Sequence, residues 1–560
     1  MTIDARFGPG SGPGPKIGIN FNRHPGLRYA PGSAGSQLLG VAIDNAWGAG
    51  VTLDASRITL NRNYIGLDRR GEPFGNRGDG VYVSPWSSEN SIGQNDSGVS
   101  GVVANVISGN TGNGITLAGS SRNTVAANRI GTDPTGAWAI GNGGDGIAIT
   151  GPASRNEIGG TEFVDRRTGQ VNDPTGDKGT ETPVFVVPPL GNQISGNGHD
   201  GVLIAAGAHS NMLNGNFVGT TANGDAPIGN RGDGVWIDHA DSNSLVGCKF
   251  VNNPFVYYNV VSGNHGNGVH ITDSDNVVVQ GNFFGIGANN LSTVENHRDG
   301  ILVDGSSANT QVGGVIPLGN VSSGNGRNGV EVAGTAHGFV TFNTFGGLAA
   351  FGGAVPNRND GLLITSTGGD NLARTNVMSG NDNHGIELAG RASGVTIDPD
   401  IVGMNTDGKQ ALPNGSDGIL ITGDAHDNTV GGTLRSVIRE NTVSSNGGYG
   451  LAITGRAHRT RVFNTFIGTD ILGVDPFGNQ RGGVLIGGDA YENLIGTISF
   501  RNHNIISANK GNGVTLQRLT HLNAVVHNYI GLDRLGQSMP NAGQPVVDHG
   551  TRNLVVGNRT

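Results

Sequence analysis

An all-β solenoid of short parallel strands is the fold this sequence predicts, and three observations predict it. A glycine preceding an apolar pair recurs at Gly80, Gly114, Gly146, Gly201, Gly234, Gly268, Gly300, Gly329, Gly361, Gly385, Gly418, Gly450, Gly483 and Gly513, at intervals close to 32 residues. A fixed period of that length marks a repeat architecture rather than several globular domains. The residues after each glycine, as in Gly146-Ile-Ala-Ile149 and Gly418-Ile-Leu-Ile421, are apolar at i and i+2, the strand period, in runs of three to five residues. Asn and Gly crowd the corners between these runs, where left-handed backbone is easily accommodated. Each strand is therefore expected to pair with its equivalent one coil up and one coil down, as in a parallel β-helix.

Composition agrees with thin, repeated layers. The chain has 100 glycines and 22 prolines in 560 residues without a Gly-X-Y triplet, which excludes collagen. Aromatics are only 5%, so the core must come from Val, Ile, Leu and Ala. Charged residues are 14% and the net charge is −9, with no cluster of Lys and Arg, which excludes a nucleic-acid groove. Cys248, the single cysteine, excludes an intramolecular disulfide and a thiolate metal cluster and reads as core filler. No run approaches 18 apolar residues, so no membrane-spanning helix is expected.

Taken in order, residues 1–42 read as a Pro/Gly-rich lead and N-terminal cap, and residues 43–560 as the solenoid. Two corner types alternate within it: Ser-Gly-Asn-like corners, as at Ser108, Ser195 and Ser262, and Ile-Gly steps followed by a loop, as from Ile130 and Ile467. The full unit is thus two coils and about 65 residues. Asparagines recur at Asn105, Asn192, Asn259, Asn320, Asn376, Asn441 and Asn504, and again at Asn110, Asn197, Asn264, Asn325, Asn381, Asn446 and Asn509. Turned inward and stacked, such amides can hydrogen-bond along the axis. The long interval between Gly146 and Gly201 holds a lateral loop at residues 161–189, rich in charge. The opening residues show no basic start followed by an apolar run, and the chain stops mid-repeat at Asn553–Thr560, which reads as a segment of a longer protein.

These repeats resemble the right-handed parallel β-helix family, the pectate-lyase-like superfamily, and are similar to bacterial surface and secreted proteins repeating NVISGN, IGTD and GNGGDG. The resemblance implies a single right-handed β-helix of about fifteen coils, roughly 70 Å long at ~4.8 Å per coil. It implies no particular activity, because the fold hosts lyases, hydrolases, epimerases, tailspikes and adhesins. Asn405-Thr406-Asp407 matches one polygalacturonase-like motif without its companions, and Asp398-Pro399-Asp400 is the nearest approach to the Asp-Pro-His-Glu of mannuronan epimerases.

The outward residue of each counted strand should stack into a column: Tyr82, Thr116, Ala148, Leu203, Trp236, His270, Leu302, Glu331, Leu363, Glu387, Leu420 and onward. Unusual residues gather in its middle. Asp238 and Asp304, two coils and roughly 9–10 Å apart, with His270 between them, form the candidate catalytic set, near the spacing of an inverting carboxylate pair. Trp236, Glu331, Tyr257 and Tyr258 are the candidate ligand-binding residues. No metal-ligand set and no cofactor is identified. The reading is a non-enzymatic rod, surface-exposed or secreted, adhesin-like or carbohydrate-binding, whose partner is a polysaccharide or cell-surface glycan. The alternative is a polysaccharide lyase, hydrolase or epimerase working in a groove on the middle coils.

Overall fold

The computed structural model describes residues 2–6, 14–93, 105–160, 191–249, 256–315, 318–350, 352–432, 440–497 and 503–560. The lateral loop read at 161–189 lies outside them, as do the side chains of Cys248 and Tyr257. Every strand pairing given among the described residues is parallel except the short pair Cys248–Lys249 with Val256–Tyr257. Among the described residues no helix is long and apolar enough to cross a membrane.

The chain forms two compact units, Met1–Arg298 and Asp299–Thr560. In the first, three parallel sheets form the walls. One contains the counted strands: Ile115–Ala118, Ile147–Thr150, Val202–Ala205, Val235–Asp238 and Val269–Thr272, each paired with the next. Register is that of the sequence column, with Thr116 opposite Ala148, Ala148 opposite Leu203, Leu203 opposite Trp236 and Trp236 opposite His270. The second unit repeats this plan, with Leu302 opposite Glu331, Leu363 opposite Glu387 and Glu387 opposite Leu420. Coiling begins early in the first unit: Thr2–Asp4 pairs with Gln37–Leu39, Ile17–Asn20 with Val41–Asp44, and Leu27–Tyr29 with Val51–Leu53, so the segment before Ile43 already contributes strands to all three walls.

The core is one residue wide per strand position. Val202, Ile204, Val235 and Ile237 are at most 1% exposed, whereas Leu203 and Trp236 between them are half-buried. Corner backbone groups buried beside this core need hydrogen-bond partners, and asparagine amides supply them. Asn197 illustrates the bonding. Its Nδ2 donates to Asn230 Oδ1 at 2.9 Å, and its backbone N–H donates to the same oxygen at 3.0 Å. Its own Oδ1 accepts Nδ2 of Asn142 at 3.0 Å. Two further ladders run likewise in the first unit, Asn63 through Asn105, Asn128, Asn192, Asn216 and Asn259 to Asn282, and Asn90 through Asn123, Asn156 and Asn211 to Asn243.

The counted glycines serve close approach rather than left-handed backbone. None of Gly80, Gly114, Gly146 and Gly201 has positive φ, but a Cβ at Gly201 would overlap Val218 Cγ1, the Gly234 carbonyl and Asn230 Nδ2. Every second coil also carries a lateral hairpin closed by an antiparallel bridge, such as Thr132 with Ala139 or Met404 with Ala411. The Asn405-Thr406-Asp407 motif belongs to such a hairpin, where Asn405 Oδ1 accepts the N–H groups of Lys409 and Gln410.

Asp400, from the Asp-Pro-Asp motif, is a rung in the amide ladder of the second unit. Its Oδ1 accepts the Asn376 N–H, its backbone N–H donates to Asn441 Oδ1 at 2.7 Å, and its Oδ2 has no partner. Oδ2 occupies the place of the donating amide nitrogen, so a protonated carboxyl suits the ladder and an anion does not. Burial accordingly pushes Asp400 up to about 7.

Two predictions follow from this geometry. Asn197→Ala removes the acceptor of the Asn142 amide and N–H and a donor to the Ile130 carbonyl, and Gly201→Ala forces atoms into overlap; each should lower unfolding free energy by about 1–3 kcal/mol, read from urea titrations. Asp400→Asn restores a donor. The folded pKa of Asp400 lies above the unfolded carboxyl value, so its stability is complete below about pH 4 and is lost as pH rises through about 7. The variant should match the parent at pH 4 and exceed it by roughly 2–4 kcal/mol at pH 8.

Candidate functional site

The residue before each counted glycine sits at the edge of the outward face and is Asp or Asn in most coils. This corner position forms a ladder of its own. Asp145 Oδ1 accepts the Asp200 N–H at 3.1 Å, Asp200 Oδ1 accepts the Asp233 N–H at 2.6 Å, and Asp233 Oδ1 accepts both the N–H and Nδ2 of Asn267. In the second unit Asp299 Oδ1 accepts the Asn328 N–H, Asn328 Oδ1 that of Asp360, and Asp360 Oδ1 that of His384. One carboxylate oxygen of each aspartate thus completes the backbone while the other is left for side chains of the outward column.

Stacking carboxyls one coil apart near a low-dielectric wall raises their proton affinity. Asp200 is pushed up to about 7, chiefly by burial, with Asp145 and Asp233 adding to it. Asp145 is raised by burial. Asp360 rises to about 8 from burial and from contact with the Glu387 carboxyl. Glu331 is raised by burial and by Asp299, with Arg327 opposing. Arg327 sits 3.3 Å from Asp299 and 3.2 Å from Glu331, and holds the two acids together.

The sequence-derived residues are placed as follows. His270 Nδ1 lies 3.1 Å from Asp233 Oδ2 and its Nε2 2.8 Å from Thr272 Oγ1, so its carboxylate is the corner Asp233. Asp238 lies 2.7 Å from Nδ1 of exposed His239, which also approaches Asp273 at 3.7 Å. Asp304 ends strand Ile301–Asp304 of the second unit, so the Asp238, His270 and Asp304 set is divided between the units. Trp236 is stacked on His270, with ring centroids 5.9 Å apart and planes 10° from parallel; one face is therefore turned along the wall rather than outward. Tyr258 stacks on Phe283 at 4.2 Å, which covers a face of its ring. Glu331 accepts from Asn328 Nδ2 at 3.0 Å besides pairing with Arg327.

Sequence reasoning missed two features. Trp47 is 60% exposed, with the Arg77 guanidinium 4.9 Å above its ring, and Phe74 is 51% exposed. Trp47 and Arg77 meet because Asn45 N–H donates to the Phe74 carbonyl and Arg77 N–H to the Ala46 carbonyl, joining successive coils at one corner. Trp86 and Trp138 are more exposed still, at 89% and 74%. The second feature is a convergence of Asp360, His384 and Glu387 within 4.8 Å of one another. The signal available in sequence was the break in the corner column, where His384 replaces Asp or Asn.

The parallel walls decide the fold. The chain is a parallel β-helix solenoid in both units. No protein-family model matches it, and no curated protein does. Among solved structures it is similar to the A-module of mannuronan C-5 epimerase AlgE4 of Azotobacter vinelandii, at 13% identity over 86% of this chain and 91% of that one, with a TM-score of 0.34. It is also similar to a double mutant of the periplasmic alginate epimerase AlgG, at 10% identity over 92% and 78%, TM-score 0.31. A third is PfbA, a surface adhesin of Streptococcus pneumoniae, at 10% identity over 79% and 82%, TM-score 0.24.

The Arg327 contacts yield a prediction. Asp299 has a fully buried side chain, so Arg327→Ala removes a countercharge from an acid that cannot reach water. Because Arg327 is itself half-exposed, the expected loss is about 1–2 kcal/mol. Adding Asp299→Asn to Arg327→Ala should recover most of it, as read by a double-mutant cycle in urea.

Proposed function

We propose that this protein is a non-enzymatic β-helix that binds glycan, working at a cell surface or outside the cell. The observation that carries the reading is the exposed Trp47 ring beneath the Arg77 guanidinium. A large aromatic ring left open to solvent forgoes its burial energy, and an apolar ring beside a guanidinium suits the mixed surface of a sugar, whose C–H face meets the ring while its hydroxyl or carboxylate groups meet the cation. The outward acids, by contrast, are occupied: Asp145, Asp200 and Asp233 each complete the backbone of the next coil, and Asp238 pairs with a neighbouring histidine.

A polysaccharide lyase, hydrolase or epimerase is the second reading, favoured by the carboxyl contact between Asp360 and Glu387. The two readings separate experimentally. Gel retardation of the protein by uronate-containing and neutral polysaccharides should detect binding, and Trp47→Ala should reduce that retardation about tenfold or more, with Arg77→Ala weakening acidic glycans selectively. Release of reducing ends or of absorbance at 235 nm from the same polysaccharides, abolished by Glu387→Gln, would replace the binding reading with the enzymatic one.

A further inference from the structure

Asp360 and His384 occupy the corner position of successive coils, and Glu387 the outward position of the second. Each offers one ligating atom to a common point, all within 4.8 Å of one another. Asp360 and His384 are 2% and 8% exposed, and Glu387 is half-buried, so the point opens toward solvent on the Glu387 side. Asp360 is fixed by its ladder bond to the His384 N–H at 2.9 Å and by Asn383 Nδ2 at 3.1 Å. Its carboxyl also meets that of Glu387. Two carboxyl groups within 4.8 Å of each other beside a buried wall favour a cation between them, either a shared proton or a metal ion.

The imidazole serves the second alternative by changing its Nδ1 partner. His384 Nδ1 accepts the Asp417 N–H at 3.1 Å, and Asp417 Oδ2 stands 4.0 Å from the same nitrogen. For Nε2 to give its lone pair to a metal, the ring proton moves to Nδ1, which exchanges the Asp417 N–H for the Asp417 carboxylate as its partner; ligating histidines are commonly oriented by a carboxylate in this way. The cluster also departs from its surroundings. Neighbouring corners of the unit are Asp299, Asn328 and Asp417, and Glu387 is flanked in its column by Leu363 and Leu420.

We propose that Asp360, His384 and Glu387 bind one divalent transition-metal ion, Zn²⁺ or Mn²⁺, with Asp417 as the positioning residue for the imidazole. A nitrogen ligand beside two carboxylates selects these ions over Ca²⁺ and Mg²⁺, which are held by oxygen alone. Three protein ligands leave a coordination position open, on the Glu387 side, for water or a ligand oxygen. The site is separate from the Trp47 patch and does not depend on the glycan reading.

The test is calorimetric titration of the chelator-treated full chain with ZnCl₂, alongside its thermal unfolding. One saturable site per chain and a raised Tm are expected. His384→Asn keeps a ladder-competent residue, as Asn328 shows at the same position, and Glu387→Gln is isosteric, so both should fold; each should weaken Zn²⁺ about tenfold or more, and Asp417→Asn by less. Absence of a saturable site would overturn the proposal. So would a site that survives in His384→Asn and Glu387→Gln but disappears when His426 and His458, whose rings stack 5.1 Å apart elsewhere on the unit, are replaced.

Discussion

The coils are arranged around an amide that must be satisfied in a buried interior. Each coil turns three corners, and each corner leaves backbone groups facing inward. An asparagine offers one acceptor and two donors on a short, planar group, enough to bond the coil above, the amide of the coil below and that coil's backbone. Asn142, Asn197 and Asn230 do this in succession. Because every rung shares its bonds with two others, the register of all three walls is fixed by the ladders as well as by the apolar strands, and a slip of one residue would unpair a whole column. The glycine beside each rung follows from the same crowding, since the amide of Asn230 occupies the space a Cβ at Gly201 would need.

Substituting a carboxyl for an amide in such a column changes the electrostatics without changing the shape. At the corner edge this is tolerated, because only one oxygen is used by the backbone and the other can meet an imidazole, as in Asp233 with His270, or a guanidinium, as in Asp299 with Arg327. Within the inward ladder the second oxygen finds no donor, and burial raises the proton affinity of Asp400. The same side chain therefore has two chemistries, set by whether its second oxygen points along the core or across the edge.

Much of the architecture was legible from the sequence because period, strand alternation and corner composition all follow from this stacking. The outward column came out in register, from Thr116 through His270 in one unit and from Leu302 to Leu420 in the other. The amide ladders were visible only in part. Asn105, Asn192 and Asn259 stand two coils apart, and the intervening rungs Asn128 and Asn216 lie in the other coil type, behind an Ile-Gly step rather than a Ser-Gly-Asn corner. The candidate site was harder to read. Strand period places Asp238 and His270 on one face, but it does not say that the corner aspartate of the preceding coil reaches the imidazole, because that contact joins positions 37 residues apart through a turn. Trp47 and Arg77 meet by the same route, across a corner.

A repeat scaffold confines any local constellation to adjacent coils, since residues farther apart along the axis are separated by one strand spacing for every coil between them. Chemistry on such a wall must therefore be assembled from the corner of one coil and the outward face of the next, and it is found where the repeat is broken rather than where it is kept. A corner aspartate followed by a corner asparagine merely continues the ladder. A corner aspartate followed by histidine, with glutamate in place of leucine three residues on, converts the ladder bond into the fixed arm of a three-ligand cluster. Likewise, a corner that exposes Trp47 beneath Arg77 turns a backbone-closing turn into a surface with one apolar and one cationic element. Both depend on the amide columns holding successive coils in fixed register, which lets side chains from different turns of the chain act as one group.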